Sequence, residues 1–272
     1  SRLLLGLLPP DQGSVTLDGT QTTGVPPEEW RRLRQRMQLV YQDAAGSLDQ
    51  RLTIRTQVEE PLHIHSLPLH MADKALDGVG LGGAMSARYP HEMSGGQLQR
   101  VIIARALVME PEFLVLDEPV SALDVSIQAQ IVNLLRDLQR ELGLTYVFVS
   151  HDLGIVRKMA EDVCVMKDGG IVERGVTKDI FDHPKHAYTK HLIGASSRFS
   201  IVGDQDRGGT LPPASPKPLL EVRDLDLTFR KTTGFIRRRT KEFHALKQVS
   251  FTLHEGENLG IVGESGSGKT TL

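Results

Sequence analysis

Apolar residues in this chain fall into two patterns, and each predicts a kind of element. Four short runs, Leu39-Val40-Tyr41, Phe113-Leu114-Val115-Leu116, Tyr146-Val147-Phe148-Val149 and Val163-Cys164-Val165-Met166, read as strands, the second of them fully buried. Between residues 126 and 142, Ile127, Ile131, Leu134, Leu138 and Leu142 recur at helical spacing and predict one apolar helix face. Pro27 to Met37 reads as a charged helix with proline in its first turn, and Gln97 to Val108 as another helix. Residues 46–98 hold few β-branched runs and predict a helical subdomain. Strands alternating with helices predict an α/β fold with a largely parallel sheet.

The remaining segments add detail. Val15-Thr16-Leu17 alternates and closes on Asp18-Gly19, a strand and tight turn. Leu220 to Leu225 and Gln248 to Leu253 predict further strands. Residues 196–218 are rich in Ser, Gly, Asp and Pro, with little to bury, and predict a flexible linker. The run Arg2-Leu3-Leu4-Leu5-Gly6-Leu7-Leu8 imitates a signal-peptide core but reads as a buried helix.

Composition narrows the classes. A net charge of -2 gives no global basic field, so nucleic acid is not an expected partner. The one cysteine, Cys164, cannot form a disulfide within the chain, and its apolar neighbours predict a buried, inert thiol. No stretch approaches the ~20 apolar residues of a membrane-spanning helix, so a membrane role is expected to act through a partner. The histidines His63, His65 and His70, and His183, His186 and His191, lack a closed ligand set. Arg237-Arg238-Arg239-Thr240-Lys241 could bind nucleic acid but reads as a solvated loop.

Candidate chemistry begins at Gly263-Glu264-Ser265-Gly266-Ser267-Gly268-Lys269-Thr270, which follows the apolar run Leu259-Gly260-Ile261-Val262. Glycines let successive amides turn toward phosphate oxygens, and the following helix offers its positive end. Lys269 adds charge at the β- and γ-phosphates, the Thr270 hydroxyl can ligate Mg²⁺, and Thr271 closes the loop. Phe113 to Leu116 then delivers two carboxylates to a strand end. Asp117 suits Mg²⁺ through its water shell, and Glu118 suits polarising an attacking water. Ser94-Gly95-Gly96-Gln97 opens a helix and makes a second anion site.

Together these motifs resemble the nucleotide-binding subunit of ABC transporters: the phosphate loop 263–270, Gln42, the 94–97 signature, 113–118, Ser121-Ala122-Leu123-Asp124 and Ser150-His151-Asp152. Tyr89 to Gln97, Val120 to Ser126, Glu60-Pro61-Leu62 and His183 to Thr189 resemble the oligopeptide/dipeptide importer ATPases in particular. Asp43-Ala44 and Ser47-Leu48-Asp49-Gln50-Arg51 depart from that family's usual Asp-Pro and Ser-Leu-Asn-Pro-Arg, in a loop that faces the transmembrane partner there.

The resemblance implies a P-loop NTPase (RecA-like) core with a mixed sheet, an α-helical subdomain and a small antiparallel β part. It implies ATP and Mg²⁺ as cofactors, a second ATPase subunit paired head to tail as a homo- or heterodimer, and permease subunits at the cytoplasmic face of the membrane. Ser94 and Gly96 would cap the nucleotide held by Lys269 of the other subunit. Gln42 would sense Mg²⁺ and the γ-phosphate, His151 would orient the attack, and Asp124 would link the two sites. Phe229 would stack on adenine, with Phe235 and Phe243 as rivals.

The motif order departs from the family, in which the phosphate loop comes first. Reading from Leu272 into Ser1 gives an uninterrupted helix after that loop, and the spacing to Gln42 then fits. Two explanations stay open: one domain in circularly permuted order, 219–272 with 1–195, or a window across two cassettes of a tandem chain. A non-transport ABC ATPase and a nucleotide-binding module without turnover are the rival functions.

Overall fold

The structure, a computed structural model, describes residues 1–41, 43–197, 217–233, 239–263 and 267–272, with backbone alone at 196–197, 230–233 and 239–241. The first part of the chain forms β1 (Gln12–Leu17), β2 (Thr20–Gln21), α1 (Pro27–Arg36), β3 (Met37–Val40), α2 (Ile54–His65), α3 (Met71–Gly78), α4 (Gly95–Leu107), β4 (Phe113–Asp117) and α5 (Val125–Leu142). The rest forms β5 (Thr145–Ser150), α6 (Leu153–Met159), β6 (Asp162–Lys167), β7 (Gly170–Val176), α7 (Thr177–Asp182), α8 (Ala187–Ser197), β8 (Pro218–Thr233), β9 (Arg239–His254) and β10 (Asn258–Val262). Two compact units divide these elements: residues 1–30 with 148–272, and residues 31–147.

In the first unit, β2, β1, β8 and β9 form an antiparallel sheet in that order. Its β1–β2 turn uses Asp18 (φ +47°) and Gly19 (φ +75°), two left-handed residues in succession, the geometry that matches strand twist in a tight hairpin. β10 pairs parallel with β6, Leu259 opposite Asp162 to Val262 opposite Val165, and β6 pairs antiparallel with β7. The pairing about β6 is therefore mixed, parallel on the β10 side and antiparallel on the β7 side. β10 is buried along its whole length, as its Leu-Gly-Ile-Val run predicts. Cys164 is buried in β6, and burial pushes its thiol up to about 12.

Residues 1–8 are assigned as turns and bends rather than as the predicted buried helix. Leu3, Leu4 and Leu5 are buried, and the backbone of this segment continues a ladder begun by the last residues of the chain. Leu272 N donates to Gly268 O (3.0 Å), Ser1 N to Lys269 O (3.3 Å), Leu3 N to Thr271 O (3.2 Å) and Leu4 N to Leu272 O (3.0 Å). Counted through the two ends, every one of these is the four-residue step of an α-helix.

The second unit pairs β3 parallel with β4, from Met37 opposite Phe113 to Val40 opposite Leu116. β3 stops at Val40 and leaves Tyr41 exposed. α2 and α3 occupy the predicted helical stretch, and α2 is capped by the Thr53 side chain, which accepts from Thr56 N. α5 buries Ile131, Val132, Leu135, Leu138 and Gln139. That stripe is rotated from the predicted one: Ile127 and Leu134 are half-buried and Leu142 is exposed. Helix and strand bound the predicted linker at Ser197 and Pro218, and residues 198–216 lie outside the described residues.

Candidate functional site

The candidate residues divide between the two units. Gly263 to Leu272, His151 and the aromatics belong to the first. Ser94 to Gln97, Asp117, Glu118 and Asp124 belong to the second. Gln42, Glu264, Ser265, Gly266 and Phe235 lie outside the described residues.

In the first unit, buried β10 is followed by Gly263, where the chain has no room for a side chain. A Cβ there would stand 2.2 Å from Met166 O and 2.7 Å from Ser267 Oγ. Gly268 is equally constrained: its φ is +97° and a Cβ would meet Ala245 O at 2.5 Å. Between them the Lys269 side chain is 4% exposed, and its Nζ donates to Gly263 O at 2.8 Å, folding across the loop. Ser267 Oγ is buried and finds no partner among the described residues. A buried ammonium beside a buried hydroxyl that has no partner among the described residues, next to two glycines that admit no side chain, suits a phosphate, which would give the hydroxyl a partner and the ammonium a counter-charge. Thr270 is exposed at the start of the ladder through the chain ends, and Thr271 is half-buried.

His151 follows the buried end of β5 and is itself exposed. Its neighbours fix the turn: Ser150 Oγ accepts from Asp152 N (2.9 Å), and Asp152 caps α6 by accepting from Gly154 N (2.8 Å). Phe229 and Phe243 are direct cross-strand partners on β8 and β9, 44% and 60% exposed. Directly opposite residues share a sheet face, so the pairing joins Phe229 with one of its rivals.

In the second unit, β4 carries Asp117, 7% exposed, at its carboxyl end. Glu118 follows with φ +49°, a left-handed conformation that costs a non-glycine residue on the order of 1 kcal/mol. Its carbonyl accepts from both Ser121 N (3.3 Å) and Ser121 Oγ (3.1 Å). Asp124 caps α5, its Oδ1 accepting from Ile127 N at 3.0 Å. Gln128 Nε2 reaches back to Val120 O and Leu123 O, both at 3.0 Å. Sequence reading missed Ser121's contact and all of Gln128. The available signal was a long amide side chain in the first turn of a helix that follows a functional loop.

Ser94 caps α4 through a reciprocal pair: its Oγ accepts from Gln97 N (3.4 Å), and Gln97 Oε1 accepts from Ser94 N (3.0 Å). The cap uses a lone pair of the Ser94 hydroxyl and leaves its proton able to face an anion. A Cβ on Gly95 would touch Leu123 Cδ2 at 3.5 Å, and one on Gly96 would stand 2.5 Å from Ile127 Cγ2. The start of α4 thus packs beside the loop that follows the carboxylates. Among the described residues no cluster of His, Cys, Asp or Glu could hold a metal by itself, and neither histidine group forms one.

The family described as ABC transporter matches residues 1–121 and 246–272, more than half of the chain. The peptidoglycan transport ATP-binding protein YejF of Agrobacterium fabrum is 38% identical over 268 residues, 96% of this chain and 48% of that protein. The oligopeptide transport ATP-binding protein OppD of Mycobacterium tuberculosis is 47% identical over 196 residues, 71% of this chain and 32% of that protein. The chain thus spans about half the length, or less, of the curated relatives it matches. The ATP-binding cassette MJ0796, solved as a dimer in a post-hydrolysis state with ADP and Pi, superposes with a TM-score of 0.57 at 30% identity, covering 65% of this chain and 78% of that one.

Proposed function

The chain belongs to the ABC transporter family, and from that premise we propose that it binds and hydrolyses ATP to energise the import of peptides or similar small solutes. The observation that carries this reading is the Gly263–Lys269 turn, where a buried amine and an orphaned hydroxyl face a strand end with no room for a side chain. Bound MgATP supplies the γ-phosphoryl group that water attacks. Lys269, Ser267 and the loop amides hold the phosphates, while Thr270 and Asp117 are the residues to hold Mg²⁺, with Gln42 as a third. Glu118 accepts a proton from the attacking water, and His151 orients the attack. The Phe229 and Phe243 rings offer a stacking face for adenine.

Within this reading, Ser94 and Gly96 complete the nucleotide site of a second cassette paired head to tail, and Asp124 links the two sites. The dimeric MJ0796 cassette supports such pairing. No helix among the described residues is long and apolar enough to cross a membrane, so we place the protein peripherally, held by permease subunits at the cytoplasmic face. The names of YejF and OppD support a peptide-type solute.

Two accounts of the motif order remain in play, and each has an observation behind it. The helical ladder joining residues 268–272 to 1–4 supports one permuted domain, 219–272 with 1–195. The YejF match, which takes in 96% of this chain within a protein about twice as long, supports a tandem polypeptide that carries the same order of motifs. Hydrolysis by wild type, Glu118→Gln and Lys269→Ala tests the activity. We expect Glu118→Gln to lose at least a hundredfold in rate while still binding ATP, and Lys269→Ala to lose binding. Equal rates in wild type and Glu118→Gln would remove the catalytic assignment. Nucleotide stoichiometry per chain separates the two accounts, one site for a permuted domain and two for a tandem protein.

A further inference from the structure

We infer that Gln128 is a positioning residue for hydrolysis, an amide clamp that holds the turn carrying Glu118 against the first turn of α5. The inference rests on the ATPase reading above and adds a residue to it.

The chain turns sharply between β4 and α5. Glu118 sits in a left-handed conformation (φ +49°), so its side chain leaves the strand in a direction that a relaxed backbone would not give it. Something must hold that conformation. Ser121 supplies one restraint, with its amide and hydroxyl both donating to Glu118 O. Leu123 N donates to Val120 O at 3.1 Å and closes the next step of the turn. Those bonds tie the turn to itself but not to the helix.

Gln128 makes that second connection. Its Nε2 donates to Val120 O and to Leu123 O, both at 3.0 Å, and its own backbone N donates to Asp124 O at 2.8 Å. Both side-chain partners are carbonyl oxygens, which accept and cannot donate, so only the NH₂ end of the amide fits here. A group that offers two donors from one nitrogen is therefore required. Carboxylate cannot serve, and a hydroxyl offers one donor at shorter reach. The clamp leaves the amide oxygen of Gln128 outside these contacts and touches no candidate ligand atom. Its effect on catalysis passes through the placement of Glu118, where an ångström of misplacement is costly.

Three substitutions test this. Gln128→Glu keeps the shape and replaces two donors by a carboxylate aimed at two carbonyls. We expect kcat to fall roughly tenfold or more, with KM for ATP unchanged within about twofold, because the phosphate loop belongs to other residues. Lowering the pH toward the carboxylic acid range should restore part of that loss, since a protonated Glu can donate to one carbonyl. Gln128→Lys, which keeps donors at that reach, should retain most of the wild-type kcat, and Ser121→Ala should lose rate in the same direction as Gln128→Glu. Amide hydrogen exchange across residues 119–124 gives a readout that needs no turnover: it should quicken in Gln128→Glu and stay slow in Gln128→Lys.

An unchanged kcat in Gln128→Glu beside an active wild type overturns the inference, and so does an equal loss in the Glu and Lys variants. If wild type and Glu118→Gln hydrolyse ATP equally, the ATPase reading is what fails. Exchange at 119–124 then decides the clamp alone, and unaltered exchange in Gln128→Glu refutes it.

Discussion

The phosphate loop and the carboxylate turn solve one problem, holding a charged group at a strand end, by opposite means. At Gly263 and Gly268 the backbone is fixed by what cannot fit, since any Cβ would stand within 2.5 Å of a carbonyl oxygen. Between Glu118 and Gln128 the backbone is fixed by side chains that reach out and bond it, from Ser121, Asp124 and Gln128. A loop held by exclusion tolerates no added atom. A loop held by hydrogen bonds tolerates any change that keeps the donor and acceptor count.

The sharpest break of that contrast is Gly263→Ala. Met166 O is main-chain and cannot step aside, so the added methyl displaces β10 or β6. We expect about 3 kcal/mol of lost stability, read as a lowered denaturation midpoint, together with loss of ATP binding. Gly95→Ala is the control in the second unit. Its Cβ meets Leu123 Cδ2 at an ordinary 3.5 Å, and helix propensity favours alanine, so stability should hold or rise slightly. Gly96→Ala should fall between the two, because Ile127 is a side chain that can shift where a carbonyl cannot. Equal effects at Gly263 and Gly95 would end the distinction.

Exclusion is not the whole account of the first unit, and pH tests the remainder. At its amino end β10 is anchored by Glu161, whose Oε2 accepts from Asn258 N at 2.8 Å. Burial pushes the Glu161 carboxyl up to about 7 from an ordinary 4.5, with Glu257 and Asp162 nearby adding to the rise and the Asn258 amide opposing it. The native state therefore keeps a proton there that the unfolded chain releases at lower pH. Stability from this group is full below about pH 4.5 and declines as pH rises through 7. The decline should reach about 3 kcal/mol by pH 8. Glu161→Gln should flatten the slope of denaturation midpoints between pH 5 and 8, and an unchanged slope would place the titration elsewhere.

The contrast also explains what could be read in advance. Strand cores were legible because Phe113 to Leu116 and Val163 to Met166 are unbroken apolar runs, and the phosphate loop because its glycines are forced by sterics within a short stretch. The face of α5 was misread because Gln139, buried in the structure, counts as polar, while Leu142 lies in the last turn before Gly143 ends the helix in a left-handed cap. Gln128 was invisible because its partners are carbonyls of a turn whose shape depends on the fold, and carbonyls leave no mark in sequence. The division of Asp117 and Lys269 between two units is likewise a property of the folded chain.

The smallest expected effect on stability separates two jobs of one hydroxyl. Ser94 caps α4 by accepting from Gln97 N, and in the proposed function its proton faces a phosphate from a second cassette. Ser94→Ala removes both and should cost about 1 kcal/mol along with activity, which leaves the roles tangled. Ser94→Asp untangles them, because aspartate is as good a cap as serine and its charge suits the positive end of α4. Stability should stay within a few tenths of a kcal/mol of wild type, while a carboxylate set where an anion must bind repels it. Thermal denaturation should therefore be unmoved in Ser94→Asp while ATP hydrolysis is lost. Full hydrolysis in that variant would mean that Ser94 serves its helix alone, and that this helix start, unlike the loop at Gly263, has no phosphate to meet.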